Sequence, residues 1–557
     1  MSKTKKWIKG ILSSTIVVFC LTITLALTFP SNHYFAIVKN LEIFANLFKA
    51  VNEYYVDDIN PSQLLNKGIE EMLAELDPYT VYISEDKIED YRTLNTGQYA
   101  GIGATTVNID GHIFIGMVYE GFSAHKEGLK IGDEVVKVDG VNIFGLSQQR
   151  LNQLVKGQVK TTVTIAVRRK KQKELIALKF EREKISIPNV PYSGMLDSEI
   201  GYIKFTEFTP NGYKNVKKAL QGLLKDGATG IVLDLRGNLG GLLKEAVNIS
   251  NLFLDANLEV VHTKGKVESS NFTYKTEFNP LAPEIPLVVL VNKMSASASE
   301  IVAGTLQDYD RAVLIGQKTY GKGLVQKQLV LPYNSSAKIT IAKYYIPSGR
   351  CIQALDYSNR NADGSVGTIP DSLKVAFTTK KGRIVFDGGG IDPEVTIIND
   401  NESNLAKDLK AKGYIFKYAT DYTLAHKQIA PAKEYNFTDD DYIDFISWLQ
   451  VQDYNYVNPL SKNLKDLQNS AKSPKQTEQL KPFISEMGSK LNMPLTTALH
   501  NYSNEIKRML EVEIAARYYF ESGAVEAGLG HDPHIEKAIQ ILKDKEAYEK
   551  LLLPNQN

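Results

Sequence analysis

From Ile200 to Leu306, short apolar strands alternate with helices: Ile200 to Phe205, Gly212 to Leu224, Gly230 to Leu235, Leu242 to Leu254, Ile285 to Val291 and Ile301 to Leu306. The strand runs Gly230 to Leu235 and Ile285 to Val291 are almost continuously apolar rather than alternating, so both faces of their sheet must be covered. Helices between them supply the cover, and the pattern predicts an α/β layer with parallel strands. The alternation occupies only part of the 557 residues, more than one hydrophobic core usually organises, so several domains are expected. Two cysteines, Cys20 and Cys351, give no disulfide framework, and stability must come from packed cores.

The rest of the chain divides by pattern. The first nine residues carry Lys3, Lys5, Lys6 and Lys9, and the next 29 residues, Gly10 to Val38, carry no charge. The apolar part, Ile11 to Phe29, approaches the roughly 20 residues that cross a bilayer, and its positive flank tends to stay cytoplasmic. Residues 1–30 are therefore expected to be a membrane anchor, with a cleaved signal peptide as the alternative; Ala26-Leu27-Thr28 is a poor cleavage site. Residues 31–97 show helical spacing, broken near Asn60-Pro61 and closed at Asp77-Pro78. Residues 98–184 change to a period of two punctuated by glycines, a small β-rich module. Residues 185–399 hold the α/β core, and residues 400–557 read as a separate helical tail, with helices expected at Asp440 to Gln450, Lys481 to Leu491 and Ile535 to Leu552. With 65 basic against 64 acidic residues, a bulk electrostatic nucleic-acid binder is excluded.

Two loops follow buried strands and open helices, where backbone N–H groups point outward and favour negative charge. They are Asp234-Leu235-Arg236-Gly237-Asn238-Leu239-Gly240-Gly241 and Asn292-Lys293-Met294-Ser295-Ala296-Ser297-Ala298-Ser299-Glu300. A serine at such a helix start can act as a nucleophile beside its own oxyanion donors. Ser295, Ser297 and Ser299 are equally fit to cap the helix, with Glu300 acidic in its first turn. None of the eight histidines sits in a motif that recommends it as the base. A lysine can serve where burial lowers its pKa, and Lys322, between Gly321 and Gly323, is the best candidate. If Leu324 to Leu331 is extended, Gln326 shares a face with Lys322 and could orient its amine.

Ser295-Ala296-Ser297-Ala298-Ser299-Glu300 with Thr319-Tyr320-Gly321-Lys322-Gly323-Leu324-Val325-Gln326 resembles the carboxyl-terminal processing (tail-specific) proteases. Tyr54-Tyr55-Val56, Leu76-Asp77-Pro78, the Arg236-Gly237-Asn238-x-Gly240-Gly241 loop and Gly388-Gly389-Gly390-Ile391-Asp392-Pro393 follow in that family's order. Within the β-rich module, Tyr99 to Gly103 and the run Gly132 to Gly140 resemble a PDZ domain. The resemblance implies a multidomain chain: N-terminal membrane helix, helical segment, PDZ-like β module, ClpP/crotonase-like α/β protease core and C-terminal helical domain. It implies Ser297 as nucleophile, Lys322 as general base and Gln326 as its positioner, with N–H groups of Ala298 and of Gly240 or Gly241 forming the oxyanion hole. Tyr99, Ala100, Gly101, Ile102 and Gly103 would receive a peptide's terminal carboxylate. Met294 stands where the family often has glycine, and Tyr79-Thr80 where it often has His-Ser; the first, three residues before Ser297, could narrow the site, and neither removes a catalytic atom.

Two other patterns fail. Gly316-x-x-x-x-Gly321-Lys322 lacks the hydroxyl that would hold Mg²⁺ after a P-loop lysine, and Ser-x-x-Lys recurs at Ser2, Ser84, Ser123 and Ser335 without a companion box. His531 and His534 have no third metal ligand beside them. The expectation is an ATP-independent serine endopeptidase of the bacterial envelope, anchored in the inner membrane with its catalytic part periplasmic. It would be homodimeric, act on proteins with apolar C-terminal tails, and need no metal, nucleotide or other cofactor. The rival is an exported, catalytically dead PDZ scaffold that binds tails.

Overall fold

The computed structural model describes residues 31–361, 363–398, 402–470, 474–491 and 493–554. The expected membrane helix at Ile11 to Phe29 lies outside these residues, and no helix among the described ones is long and apolar enough to cross a membrane. The chain divides into two units, Met1–Tyr82 and Ile83–Asn557.

The first unit contains α1 (Ser31–Tyr54) and α2 (Pro61–Ala74). The break between them has a local cause: the Asn60 side chain accepts the Gln63 N–H, and Pro61 takes a first-turn position that needs no donor. After α2, Asp77 accepts the N–H groups of Tyr79 and Thr80, each at 2.8 Å, and fixes the turn at Pro78.

In the second unit, β1 (Gln98–Gly101) and β7 (Glu183–Ser186) pair and close the ends of the β-rich module. Between them run β2 (Ala104–Ile109), β3 (His112–Val118), β4 (Glu134–Val138), β5 (Thr162–Arg168) and β6 (Ile176–Glu181), all antiparallel, with α3 (Gln148–Val155). The alternation seen in sequence is the burial pattern: Val163, Ile165 and Val167 are buried between exposed Thr162, Thr164 and Arg168. β2 lies at the end of its sheet. Of the expected carboxylate loop, Tyr99, Ala100 and Gly101 belong to β1, and Ile102 and Gly103 make the turn into β2.

The core sheet has the order β8 (Tyr192–Met195), β9 (Ile200–Lys204), β10 (Gly230–Asp234), β13 (Leu287–Val291), β14 (Val313–Gly316), β17 (Val395–Thr396), parallel except for β8. Helices α4 (Gly212–Lys225), α5 (Leu243–Ser250) and α6 (Ala298–Asp308) cover the face of Leu233, Val289 and Leu314. Beside it, β11 (Glu259–Gly265) and β12 (Phe272–Lys275) form a second sheet with the long hairpin β15 (Leu324–Leu331) and β16 (Ser335–Tyr345).

The tail splits in two. α7 (Asn404–Ala411), α8 (Tyr414–Ala425), α9 (Asp439–Gln450), α10 (Leu495–Asn501) and α11 (Ser503–Leu529) share their own core of Leu409, Tyr418, Phe445, Leu499 and Leu510. The last two helices, α12 (Pro533–Lys543) and α13 (Lys545–Leu551), instead bury Ile535, Ala538, Ile541 and Tyr548 against Val232, Val288 and Leu290 on the second face of the core sheet. These two helices are thus one layer of the α/β core. The single helix expected from Ile535 to Leu552 breaks at Asp544, whose side chain accepts the Ala547 N–H and starts α13.

Candidate active site

The two loops singled out in sequence leave the carboxyl ends of the neighbouring strands β10 and β13, where parallel sheets place their ligands. Fully buried Asn238 stitches them together. Its backbone carbonyl accepts the Ala296 N–H at 3.0 Å and the Ser299 hydroxyl at 2.8 Å. Its carboxamide donates to the Phe205 carbonyl and accepts the Gly240 N–H, each at 2.9 Å. The Ser295 hydroxyl donates to the Leu235 carbonyl at 2.8 Å. Two of the three serines are therefore turned inward and occupied. Ser297, half-buried, lines a cavity with a backbone φ of 56° and ψ of −113°. A side-chain-bearing residue holds such a conformation only where its surroundings impose it, at a cost of about 1–3 kcal/mol. Opposite, Gly240 (φ 97°) comes so near that a Cβ on it would sit 2.6 Å from the Ala296 carbonyl oxygen and 2.9 Å from the Ser297 Cβ. Only glycine fits there.

Glu300 ties the Ser297 turn to the lysine loop. Its carboxylate, fully buried, accepts the N–H groups of Ser297 (2.8 Å), Gly321 (2.7 Å) and Lys322 (2.9 Å) and the Thr319 hydroxyl (2.6 Å). Burial pushes the carboxyl up to about 7, against these four donors, each of which favours the ionised form. The Tyr344 hydroxyl lies 2.6 Å from the Lys322 carbonyl oxygen and 3.2 Å from that of Ser297, a second bridge between the same segments. The glycine-rich Gly388 to Pro393 segment supports the loop from behind: the Thr319 N–H donates to the Ile391 carbonyl, and the Ile391 N–H to the Thr319 hydroxyl.

Ser297, Ala298, Lys322, Gln326, Gly240 and Gly241 all line one cavity of about 570 Å³. Lys322 precedes β15 rather than lying in it, and the β15–β16 register slips between Val325 and Gln326. Lys322 and Gln326 nonetheless line the same cavity, and the Gln326 carboxamide donates to the Thr340 hydroxyl at 3.3 Å. The oxyanion candidates separate as well. Ala298 opens α6, so its N–H has no acceptor within the helix. Gly240 donates its N–H to Asn238, whereas the bridge of Phe208 to Gly241 uses the Gly240 carbonyl and the Leu242 N–H, leaving the Gly241 N–H facing away from Phe208. Met294, 45% exposed, is not among the residues that line this cavity.

Arg236, at the head of the first loop, makes ion pairs with Asp234 and Asp532, each at 2.7 Å. Asp532 sits between His531 and His534, and no cluster fit to hold a metal occurs among the described residues. The residues after Gly316-Gly321-Lys322 enter a strand, not the helix that a phosphate loop requires. In the sequence Glu300 reads only as a local cap through its Ser-x-x-Glu box, and no local pattern marks Asn238 as a hub or points to Tyr344 and Asp532.

Residues 199–358 match the family described as Peptidase family S41, residues 100–180 a PDZ domain, and residues 405–542 the C-terminal helical domain of a probable PDZ-protease. A carboxy-terminal-processing protease of Bartonella bacilliformis is 32% identical over 348 residues, 62% of this chain and 78% of that protein. The carboxy-terminal processing protease CtpA of Bacillus subtilis is 30% identical over 396 residues, 70% of this chain and 81% of that one. Among solved structures, the photosystem II D1 C-terminal processing protease aligns over 67% of this chain and 96% of its own at 24% identity, with a TM-score of 0.35.

Proposed function

The chain belongs to the carboxy-terminal processing proteases of peptidase family S41, and from that premise we propose that it is an ATP-independent serine endopeptidase working through a Ser297–Lys322 dyad. The observation that carries this is the sorting of the three serines. Ser295 and Ser299 spend their hydroxyls on backbone carbonyls, and Ser297 lines the cavity that Lys322 also lines.

In the mechanism, the neutral Lys322 amine takes the Ser297 hydroxyl proton as the Ser297 oxygen attacks the scissile carbonyl carbon. The N–H groups of Ala298 and Gly241 receive the oxyanion. Lys322 then passes the proton to the leaving amine, and water, deprotonated in turn by Lys322, releases the acyl group. Phe208, Leu239, Leu243, Ile301 and Leu324 line the same cavity and suit an aliphatic side chain beside the scissile bond. The edge strand β2, beside the turn at Ile102 and Gly103, would add a substrate's apolar C-terminal tail as a further strand. The charge-free run at Ile11 to Phe29 would hold the enzyme in the inner membrane with its catalytic part outside the cytoplasm, as a homodimer.

The test is cleavage of an unfolded protein bearing an apolar C-terminal tail, without ATP, by the full chain and by Ser297→Ala. The wild type is expected to shorten the substrate and Ser297→Ala to leave it intact. Equal cleavage by both overturns the assignment of Ser297, and no cleavage by either favours the tail-binding scaffold.

A further inference from the structure

The loop that carries Gly241, one of the two proposed oxyanion donors, is gripped from outside its own sheet. Asp532 is the N-cap of α12, and its Oδ1 accepts the His534 N–H at 2.9 Å. Its Oδ2 lies 2.7 Å from Nη2 of Arg236. Arg236 also holds Asp234 through Nε at 3.0 Å and Nη2 at 2.7 Å, and its backbone carbonyl accepts the Lys204 ammonium at 2.9 Å. The side chains of Arg236, Asp532 and Asp234 are 15%, 17% and 1% exposed. One residue on, the Gly237 N–H is pinned to the Asn292 carboxamide oxygen at 3.0 Å, and Asn238 to Gly241 follow. Burial opposes the charge on Asp532, yet the hydrogen bonds from His534 and the Arg236 guanidinium hold its carboxyl at about 2. Because α12 is packed against β10 and β13 through Ile535, Ala538 and Ile541, the carboxylate is presented from a rigid support.

We infer that Asp532 is a positioning residue for the oxyanion loop: by fixing the Arg236 guanidinium it sets the Gly241 N–H against Ser297, making the end of the helical tail part of the catalytic apparatus. The inference rests on the serine-protease mechanism proposed above. Removing the Asp532 charge leaves Arg236 with Asp234, which also pairs with the Lys204 ammonium at 3.3 Å, so the guanidinium keeps a shared counter-ion. The loss therefore falls on the orientation of the loop as well as on stability. A cavity of about 1,090 Å³ opens beside Arg236 and Asp532, so water can replace the lost oxygen contact.

Asp532→Asn in the full chain tests this. Its kcat on an apolar-tailed peptide is expected to fall about tenfold or more with KM within about twofold, as for loss of a transition-state donor. Inhibition by a peptide aldehyde, whose adduct places an oxyanion in the hole, should weaken in parallel, while binding of a free C-terminal peptide to the β-rich module stays at the wild-type level. Asp532→Glu, which keeps the charge, should recover part of kcat. Wild-type kcat and aldehyde inhibition in Asp532→Asn overturn the inference. If that variant does not fold, Arg236→Lys asks the same question, since lysine cannot fork between two carboxylates; unchanged kcat there overturns it too. Ser297→Ala runs alongside. An inert Ser297→Ala beside a fully active Asp532→Asn removes the positioning role alone, whereas an active Ser297→Ala removes the underlying mechanism.

Discussion

The two walls of the cleft are held by different means. On the Ser297 wall, Glu300, Thr319, Lys322 and Tyr344 bind one another within a single stretch of the α/β core. On the oxyanion wall, Arg236 reaches to Asp532, at the far end of the chain. The first wall is held inside one stretch of the chain, and the second also takes a contact from α12, packed on the back of the core sheet.

Substitutions that break each wall should therefore behave differently. The largest effect is expected of Ser297→Ala, the nucleophile of the proposed mechanism: cleavage should fall by at least about 10³-fold with the melting temperature little changed. Next is Glu300→Ala. It takes the carboxylate acceptor from four donors, those of Thr319 and Gly321 buried, so stability should drop by about 3 kcal/mol and activity with it. The Asp532→Asn variant, by contrast, should lose turnover while staying folded.

The Glu300 wall also carries a pH signature. With its carboxyl raised from an ordinary 4.5 to about 7, the folded state binds the proton more tightly than the unfolded chain. Stability from this group is thus full below about pH 4.5 and is lost as pH rises through 7. Urea titrations at pH 5 and pH 8 should show wild type weakening toward pH 8 and Glu300→Gln weakening less. A double-mutant cycle sharpens the contrast further. Thr319→Ala and Glu300→Gln, on one wall, should couple by about 1 kcal/mol or more in stability, and Thr319→Ala with Asp532→Asn by under about 0.5 kcal/mol. The smallest effect is expected of Met294→Gly, which should alter cleavage less than about twofold, because Met294 lies outside the cavity.

Much of the first wall was legible because its parts are short runs. Strands β10 and β13 announced themselves as continuous apolar segments, and Ser297 and Lys322 sit in glycine- and alanine-rich loops whose small residues leave room for a substrate backbone. Local patterns reach only a few residues, which is why Glu300 read as a helix cap and its grip on Gly321 and Lys322 did not appear. The face-sharing of Lys322 and Gln326 rests on strand alternation, and Lys322 lies just before the start of β15, although both residues line the cavity. Of the second wall, the Asp234 to Gly241 loop was legible from its place between a buried strand and a helix, and its anchor on α12 was not. An amphipathic helix such as α12 shows that one face is buried, not what covers it, and Asp532 lay between two histidines with nothing nearby to indicate Arg236 as its partner.

The most direct measurement is to label the full chain with a fluorophosphonate and locate the adduct by peptide mass spectrometry. With Ser295 and Ser299 committed to backbone carbonyls, the adduct should fall on Ser297 alone, and labelling of Lys322→Ala should be slowed by orders of magnitude. An adduct on Ser295 or Ser299, or wild-type labelling of Lys322→Ala, would contradict the dyad.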